Sequence, residues 1–499
     1  MRLEVEQKES ANESYLKKQL KHLSDSQKSG GSFPCLYKIP DFGNTTYNLL
    51  EKASLLVGKF LSGGYLYDYD PEIKKYLEVI SYLKERKHIL GFAIRPSFHD
   101  VMPVYGISFA TSISDDATDG KKRQNLNIGF SAAHDSSLAL SKSIGEFLER
   151  YTLYVYKRSN LMEASVKNLR RRGKRFLAPD ILSGFSDEQK KQNKTFEFDD
   201  ESLFSLINGR SLDGRTILLP AQCVFWGYEF QRGEYHEPIL REPNTSGNGG
   251  NFTLIGAILS GVYETIERDA FLRYWLSKKA PPPIKNINDE ALLKILELAE
   301  RFKISVTWFD TTGPTGIFST CCVLQDDTRI GPKVSVASCC GFNVTEAMEK
   351  AYYEALGLFN SLRATKNKKE DGKEMAVETL GRTGRLMYWA SAGNFSHFGF
   401  FLDGEPVDFQ DIVGKNKLFN DLKDELHCIQ NILKSTIKDA EIYYFTPQHK
   451  ILKDLGYYTS CVIIPGLIPL YLREKFIPLG MAKSALGIDV VNPYPHPFP

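Results

Sequence analysis

A charged pattern written twice into stretches otherwise suited to a protein core constrains this chain more than any other feature. The first copy reads Ser143-Ile144-Gly145-Glu146-Phe147-Leu148-Glu149-Arg150, and the second, some 118 positions later, Gly261-Val262-Tyr263-Glu264-Thr265-Ile266-Glu267-Arg268. Leu138, Leu140, Ile144, Phe147, Leu148 and Tyr151 surround the first; Leu254, Ile255, Ile258, Leu259, Val262 and Ile266 surround the second. So many apolar residues at helical period predict two helices packed over most of their surface, with charges that are partly buried. Positions i, i+3 and i+4 share a helical face, so Glu146, Glu149 and Arg150 line up, as do Glu264, Glu267 and Arg268.

One copy alone would be an ordinary intrahelical ion pair worth ~0.3–0.5 kcal/mol on a solvated edge. Two copies change the weighing, because each carries two carboxylates for one arginine. If the helices are neighbours, carboxylates ~4 Å apart repel by about 4 kcal/mol at an effective dielectric of ~20, and something cationic must sit between them. Carboxylate oxygens favour Mg2+, and the arginines are then placed to hold a phosphate tail. Such a nucleotide site would need no P-loop, and no G-x-x-x-x-G-K-[ST] occurs in the chain. The glycine-rich turn Thr245-Ser246-Gly247-Asn248-Gly249-Gly250-Asn251 precedes the second helix, where backbone N–H groups can approach an anion; alone it is also a normal loop and N-cap. The stretch Glu346 to Arg363 is helical by its Ala347, Ala351, Ala355, Leu358 and Leu362 spacing and offers Lys350 and Glu354 on one face, alone an ordinary surface pair.

The rest of the chain bounds the function class. Its 499 residues, 42% of them hydrophobic, can bury one large core or two to three smaller ones. Lys and Arg number 63 against 61 Asp and Glu, so overall charge gives no long-range attraction for nucleic acid or an anionic membrane. The longest apolar run, Ser460 to Leu472, is broken by Pro465 and Pro469 and falls well short of the ~20 residues of a bilayer crossing. The opening MRLEVEQKES carries charges where a signal peptide needs an apolar stretch, which predicts a cytoplasmic protein with reduced cysteines. Cys321-Cys322 and Cys339-Cys340 lie among β-branched residues without C-x-x-C spacing, and are expected in core strands with neighbours on opposite faces. Runs such as 104-VYGISFATSI and 217-ILLPAQCVFWGY alternate with long amphipathic stretches, predicting an α/β fold of the α+β kind. The basic run Lys167 to Arg175 has no interleaved aromatics and reads as a solvated loop in preference to a polyanion site. Residues 1 to about 32 read as a polar arm, 364–374 as an exposed lysine-rich loop, and Pro281-Pro282-Pro283 as the end of a long helix and a possible internal boundary.

Taken together, these residues resemble the YcaO superfamily, whose ATP site is built from two E-x-x-E-R helices, a glycine-rich turn before the second, and a later R/K-x-x-x-E helix. The resemblance is detailed over 129–151, 245–283 and 336–363, looser through 461-CVIIPGLIPL, and covers most of the chain from about 90 onward. It implies mixed sheets and packed helices around a non-P-loop ATP site, with Glu146, Glu149, Glu264, Glu267 and Glu354 binding Mg2+ and Arg150, Arg268 and Lys350 contacting phosphates. Ser246 and Asn251 of the turn join the nucleotide-binding set; Phe252 and Gly256 stand where many relatives carry Asn and Glu, and a one-residue shift in the turn would let Asn251 supply the amide, with nothing nearby to replace the carboxylate. The implied organisation is a helical, partner-docking region over 1–90, a catalytic domain over 91–485 and a proline-rich tail over 486–499.

That tail ends Pro493-Tyr494-Pro495-His496-Pro497-Phe498-Pro499. Proline at every second position favours an extended polyproline II segment with little entropy to lose, either held rigidly with its carboxylate in a site or free to bind a partner. The resemblance implies the former, because a proline-alternating C-terminus marks the azoline-forming members, and it makes the Pro499 carboxylate and His496 candidates for the catalytic base. The implied reaction is ATP-dependent cyclodehydration of Cys, Ser or Thr in a ribosomally made precursor peptide to thiazoline or oxazoline rings. Thioamidation or amidine formation on the same scaffold, and a non-catalytic scaffold subunit, are the alternatives. No E1-like domain is apparent upstream of residue 90, so leader recognition is expected from a partner protein, with an FMN-dependent dehydrogenase as a further member of a multisubunit complex.

Overall fold

The apolar periodicities resolve into three larger antiparallel sheets, each covered by one of the helices that carry the acidic residues, beside a two-residue antiparallel pair, Gln231–Arg232 with Tyr235–His236. The computed structural model describes residues 71–89, 91–96, 105–113, 124–133, 136–154, 156–232, 235–326, 328, 331–366, 380–438 and 440–498. The polar arm, most of the lysine-rich bridge and Pro499 lie outside them. Helix α1 (Pro71–Glu85) precedes a meander of β1 (Gly91–Pro96), β2 (Tyr105–Ile113) and β3 (Gln124–Ala133), and α2 (Ser136–Tyr154) follows at once. Leu140, Ile144, Phe147 and Leu148 bury one face of α2, the Phe147 ring lying 5.6 Å from that of Phe109 on β2. Leu138 departs from the expected burial and is exposed, one turn into the helix.

The chain continues through β4 (Met162–Ser165), β5 (Leu203–Ser211), β6 (Thr216–Pro220) and β7 (Asn248–Asn251) into α3 (Leu254–Leu276). Then come α4 (Glu290–Arg301), a second meander of β8 (Ile304–Asp310), β9 (Ser319–Asp326) and β10 (Val334–Cys340), and α5 (Val344–Lys366). Helices α6 (Arg382–Ala390) and α7 (Leu422–Thr436) precede β11 (Tyr443–Phe445) and β12 (Tyr458–Ile463). The six-stranded sheet runs β4-β5-β11-β12-β7, with β6 on β5. Strands from both sides of Pro281-Pro282-Pro283 therefore share it, so that proline run follows the end of α3 without marking an internal boundary. A two-residue parallel pair, Ile284–Lys285 with Val407–Asp408, adds the other sheet type.

Three helices share strands where these layers join. Helix α2 packs on β2 and β3 and reaches β7 and β12; α3 packs on β7, β12 and β10; α5 packs on β9, β10 and β3. The two meanders thus each end in an acidic helix, α2 and α5, whereas α3 follows a single strand of the six-stranded sheet. The sequence repeat links α2 with α3, but the structural likeness links α2 with α5. The cysteines lie in β9 and β10 as expected: Cys321 and Cys322 are buried in different core clusters, as the alternation of a strand requires. The basic run forms a short helix over Val166–Arg171 where a loop was expected, because Ser165 caps it by accepting from Asn168 N; its solvated character holds, with Lys167 on Glu201 and Arg170 on Asp200 at the surface. Among the described residues no helix is long and apolar enough to cross a membrane.

Candidate active site

The charged residues of α2 and α3 occupy the narrow stripes those helices do not give to the core. On α2, Arg150 Nη2 lies 2.5 Å from Glu146 Oε1. On α3, Arg268 reaches Glu264 at 3.1 Å and Glu267 at 2.9 Å, and Glu264 Oε2 also accepts from Gly247 N at 2.9 Å. The i, i+4 pairs predicted from spacing are therefore present in both copies. Lys350 of α5 differs from expectation: it pairs with Glu346 at 2.5 Å and not with Glu354, the orientation with the acid N-terminal being the better one in a helix.

Electrostatics show that the three helices converge. Burial pushes Glu149 well above the ordinary carboxylate value, and Glu264 from α3 raises it further, against the pull of Arg150. Glu267 is raised by burial and, opposed by Arg268, by Glu354 of α5 and by Glu264. Glu354 is raised by burial and by Glu146 and Glu264, while Lys142 and Arg268 draw it down. Such effects fall off with distance, so Glu146, Glu149, Glu264, Glu267 and Glu354 lie within electrostatic reach of one another. Glu354 keeps solvent access although the surrounding protein raises its pKa, the combination expected of a group lining a recess.

Several neighbours escaped the sequence reading. Lys142 stands one turn before Glu146 on the same face, a spacing that could have found it. Tyr457 could not have been found, since it enters from the segment before β12; its hydroxyl lies against both Gly145 of α2 and Gly250 of β7, and burial together with Glu149 raises its pKa. The glycine-rich turn is partly a strand: Asn248–Asn251 pairs with β12. Bare Cα atoms let it press on α3, because a Cβ on Gly249 would come within 2.2 Å of Ala257 O, and one on Gly261 within 2.4 Å of Gly247 O. Ser246 donates its backbone N–H to Asn244 Oδ1 at 2.9 Å. Asn251 Oδ1 accepts from Thr253 N at 3.1 Å, and its carboxamide fills the space beside Gly256, where a Cβ would come within 2.5 Å of Asn251 Cγ. The absence of a side chain at Gly256 is thus matched by the inward placement of Asn251.

The proline-alternating segment is buried from Pro495 to Phe498 and lies along α3. Arg268 Cζ lies 4.4 Å from the centre of the Phe498 ring, which also meets Phe271 edge-on at 4.4 Å. His496 is fully buried, its Nε2 donating to Tyr471 O at 2.5 Å, and burial pushes its pKa well down. The Nε2 contact with Tyr471 ties His496 down, while its buried Nδ1 has no hydrogen-bond partner.

A family model described as YcaO cyclodehydratase, ATP- and Mg2+-binding, matches residues 130–468. The chain belongs to the YcaO family. Solved structures share the fold: a heterocyclase in complex with substrate and cofactor has a TM-score of 0.67 at 16% identity, over 86% of this chain and 57% of its own. The heterocyclase TruD gives 0.53 at 16% identity, over 84% and 57%, and YcaO from Methanopyrus kandleri, bound with AMPPCP and Mg2+, gives 0.54 at 12%, over 79% and 91%. The chain spans 57% of the length of the two heterocyclases. No curated protein matches it in sequence.

ATP and Mg2+ are the cofactors of this YcaO protein, and the residues fit them. The Nε–H groups of Arg150 and Arg268 are both buried and have no protein partner, two donors at one acidic cluster that an anionic oxygen would satisfy. Among the described residues no three of the acidic groups close onto a single point. Arg150 pairs with Glu146, and Arg268 with Glu264 and Glu267. A bound Mg2+ supplies charge neutralisation and orients phosphate oxygens. The five glutamates would hold it, with Arg150, Arg268 and Lys350 on the phosphates and Lys142 balancing the remaining charge.

Proposed function

We propose that this chain performs ATP-dependent cyclodehydration of Cys, Ser or Thr residues in a ribosomally made precursor peptide, giving thiazoline or oxazoline rings. The observation that favours azoline formation over thioamidation or amidine formation is the proline-alternating segment packed against Arg268 of the carboxylate cluster. The substrate side chain attacks the preceding backbone carbonyl, and the new oxyanion takes the γ-phosphoryl group from ATP. Inorganic phosphate then leaves with the former amide oxygen as the ring C=N forms. The side-chain proton and the amide proton pass to a base. The Pro499 carboxylate is the first proposed acceptor and His496 the second.

The protein's contribution is positioning and charge neutralisation, the usual route in phosphoryl transfer. Arg150 and Arg268 offer fixed guanidinium donors in a partly dry recess, where charge-assisted bonds to phosphate are strongest. Leader binding is assigned to an E1-like partner, and ring oxidation to a separate FMN-dependent dehydrogenase, as parts of a complex for antibiotic or bacteriocin biosynthesis. The test is a mass spectrum of a Cys- and Ser-containing precursor incubated with the chain, its partner, ATP and Mg2+. One water lost per ring supports the proposal. Replacement of oxygen by sulfur would mark a thioamidase, and an unchanged peptide with bound nucleotide would mark a scaffold.

A further inference from the structure

The segment 492–498 is held chiefly through its carbonyl groups. Pro493, Pro495 and Pro497 have no N–H, so the segment cannot pair as a normal sheet strand. Three consecutive carbonyls instead accept from buried side chains: Tyr494 O from Trp275 Nε1 at 3.1 Å, Pro495 O from Trp389 Nε1 at 2.9 Å, and His496 O from Arg385 Nη1 at 3.3 Å. Arg385 is itself fully buried on α6, its Nε donating to Leu472 O at 2.7 Å and its Nη2 paired with Glu474. The face of α3 that receives the segment is Arg268, Phe271 and Trp275, at i, i+3 and i+7. The chain therefore runs back along α3 from Trp275 to Arg268 and sets Phe498 on the guanidinium.

We propose that Arg385, Trp389 and Trp275 form a register clamp that, through Phe498, positions Arg268 in the nucleotide site. This rests on reading the carboxylate cluster as that site. Aromatic residues alternate with prolines in the segment, so a slip of one residue would put a proline ring where Phe498 now covers Arg268. Holding three successive carbonyls excludes that slip. The ring occupies the face of the guanidinium, while its edge serves Glu264 and Glu267 and leaves the Nε–H directed elsewhere. Removing the clamp would free Arg268 to rotate out of line with a phosphate oxygen without altering any residue of the acidic cluster.

The test is a fluorescence titration of the full-length chain with Mg2+ and N-methylanthraniloyl-ATP, paired with thermal melting. Phe498→Leu is expected to weaken nucleotide binding about five-fold, from loss of a desolvated cation–π contact, whereas Phe498→Trp stays within about two-fold. Trp389→Phe keeps an aromatic side chain in the core and removes only the donor to Pro495 O, and it is expected to weaken binding in the same direction. This variant stands in for Arg385→Gln, which breaks the buried pair with Glu474 and is prone to misfold. Variants that melt lower yet bind nucleotide like the parent would overturn the clamp and leave these residues a purely structural role. A peptide that never loses water, with this binding pattern intact, would count against cyclodehydration and not against the clamp.

Discussion

Glu149 shows how one side chain can trade stability for binding. Its pKa is raised by burial and by Glu264, so the folded state holds its proton more tightly than the unfolded chain does. Stability of the nucleotide-free protein should fall as pH rises from the ordinary carboxylate value through the elevated one, and Glu267 adds in the same direction. Urea unfolding across that window checks the sign: Glu149→Gln is expected to flatten the decline and to stabilise the nucleotide-free protein by about 1 kcal/mol, while weakening its response to Mg2+ and ATP. A steeper decline in the variant would contradict the assignment. The paired glutamates and arginines were legible in the sequence because i, i+4 contacts are fixed by helical geometry. Tyr457 was not, because its approach to Glu149 depends on how a distant segment packs.

Among elements, the helices were legible because period-3.6 apolar patterns specify a buried stripe whatever lies against it. Strand β7 was not. Two adjacent glycines have little β propensity, and Asn248–Asn251 becomes a strand because only bare Cα atoms allow β12, β7 and α3 to approach so closely. Gly249→Ala would drive a Cβ to 2.2 Å from Ala257 O, a backbone atom that cannot step aside. A loss of roughly 1–3 kcal/mol in urea unfolding is expected, together with weaker nucleotide binding, because β7 leads directly into the helix bearing Glu264. Unchanged stability would mean that the strand and helix are not pressed together as described.

At the scale of the whole molecule, the site exists only because three separate layers deliver one helix each. The sequence showed a surplus of negative charge, and the resemblance brought in α5 and the tail, but neither showed that Trp275, Trp389 and Arg385 would hold the carbonyls of residues 494–496. Contacts of that kind join positions far apart in the chain and leave no local periodicity. A ligand that bridges all three helices should stabilise the fold cooperatively. ATP with Mg2+ at one hundred times its Kd is expected to add about 2.7 kcal/mol to unfolding, with Mg2+ alone giving less. Equal stabilisation by either component alone would argue that the helices are not bridged.

The most direct measurement is calorimetric titration of the full-length chain with ATP, once with Mg2+ and once with a chelator. Saturable binding at one nucleotide per chain in Mg2+, lost in chelator and lost in Glu264→Gln, is the predicted result. Binding that is indifferent to Mg2+, or that survives the loss of Glu264, would contradict a shared carboxylate site built from α2, α3 and α5.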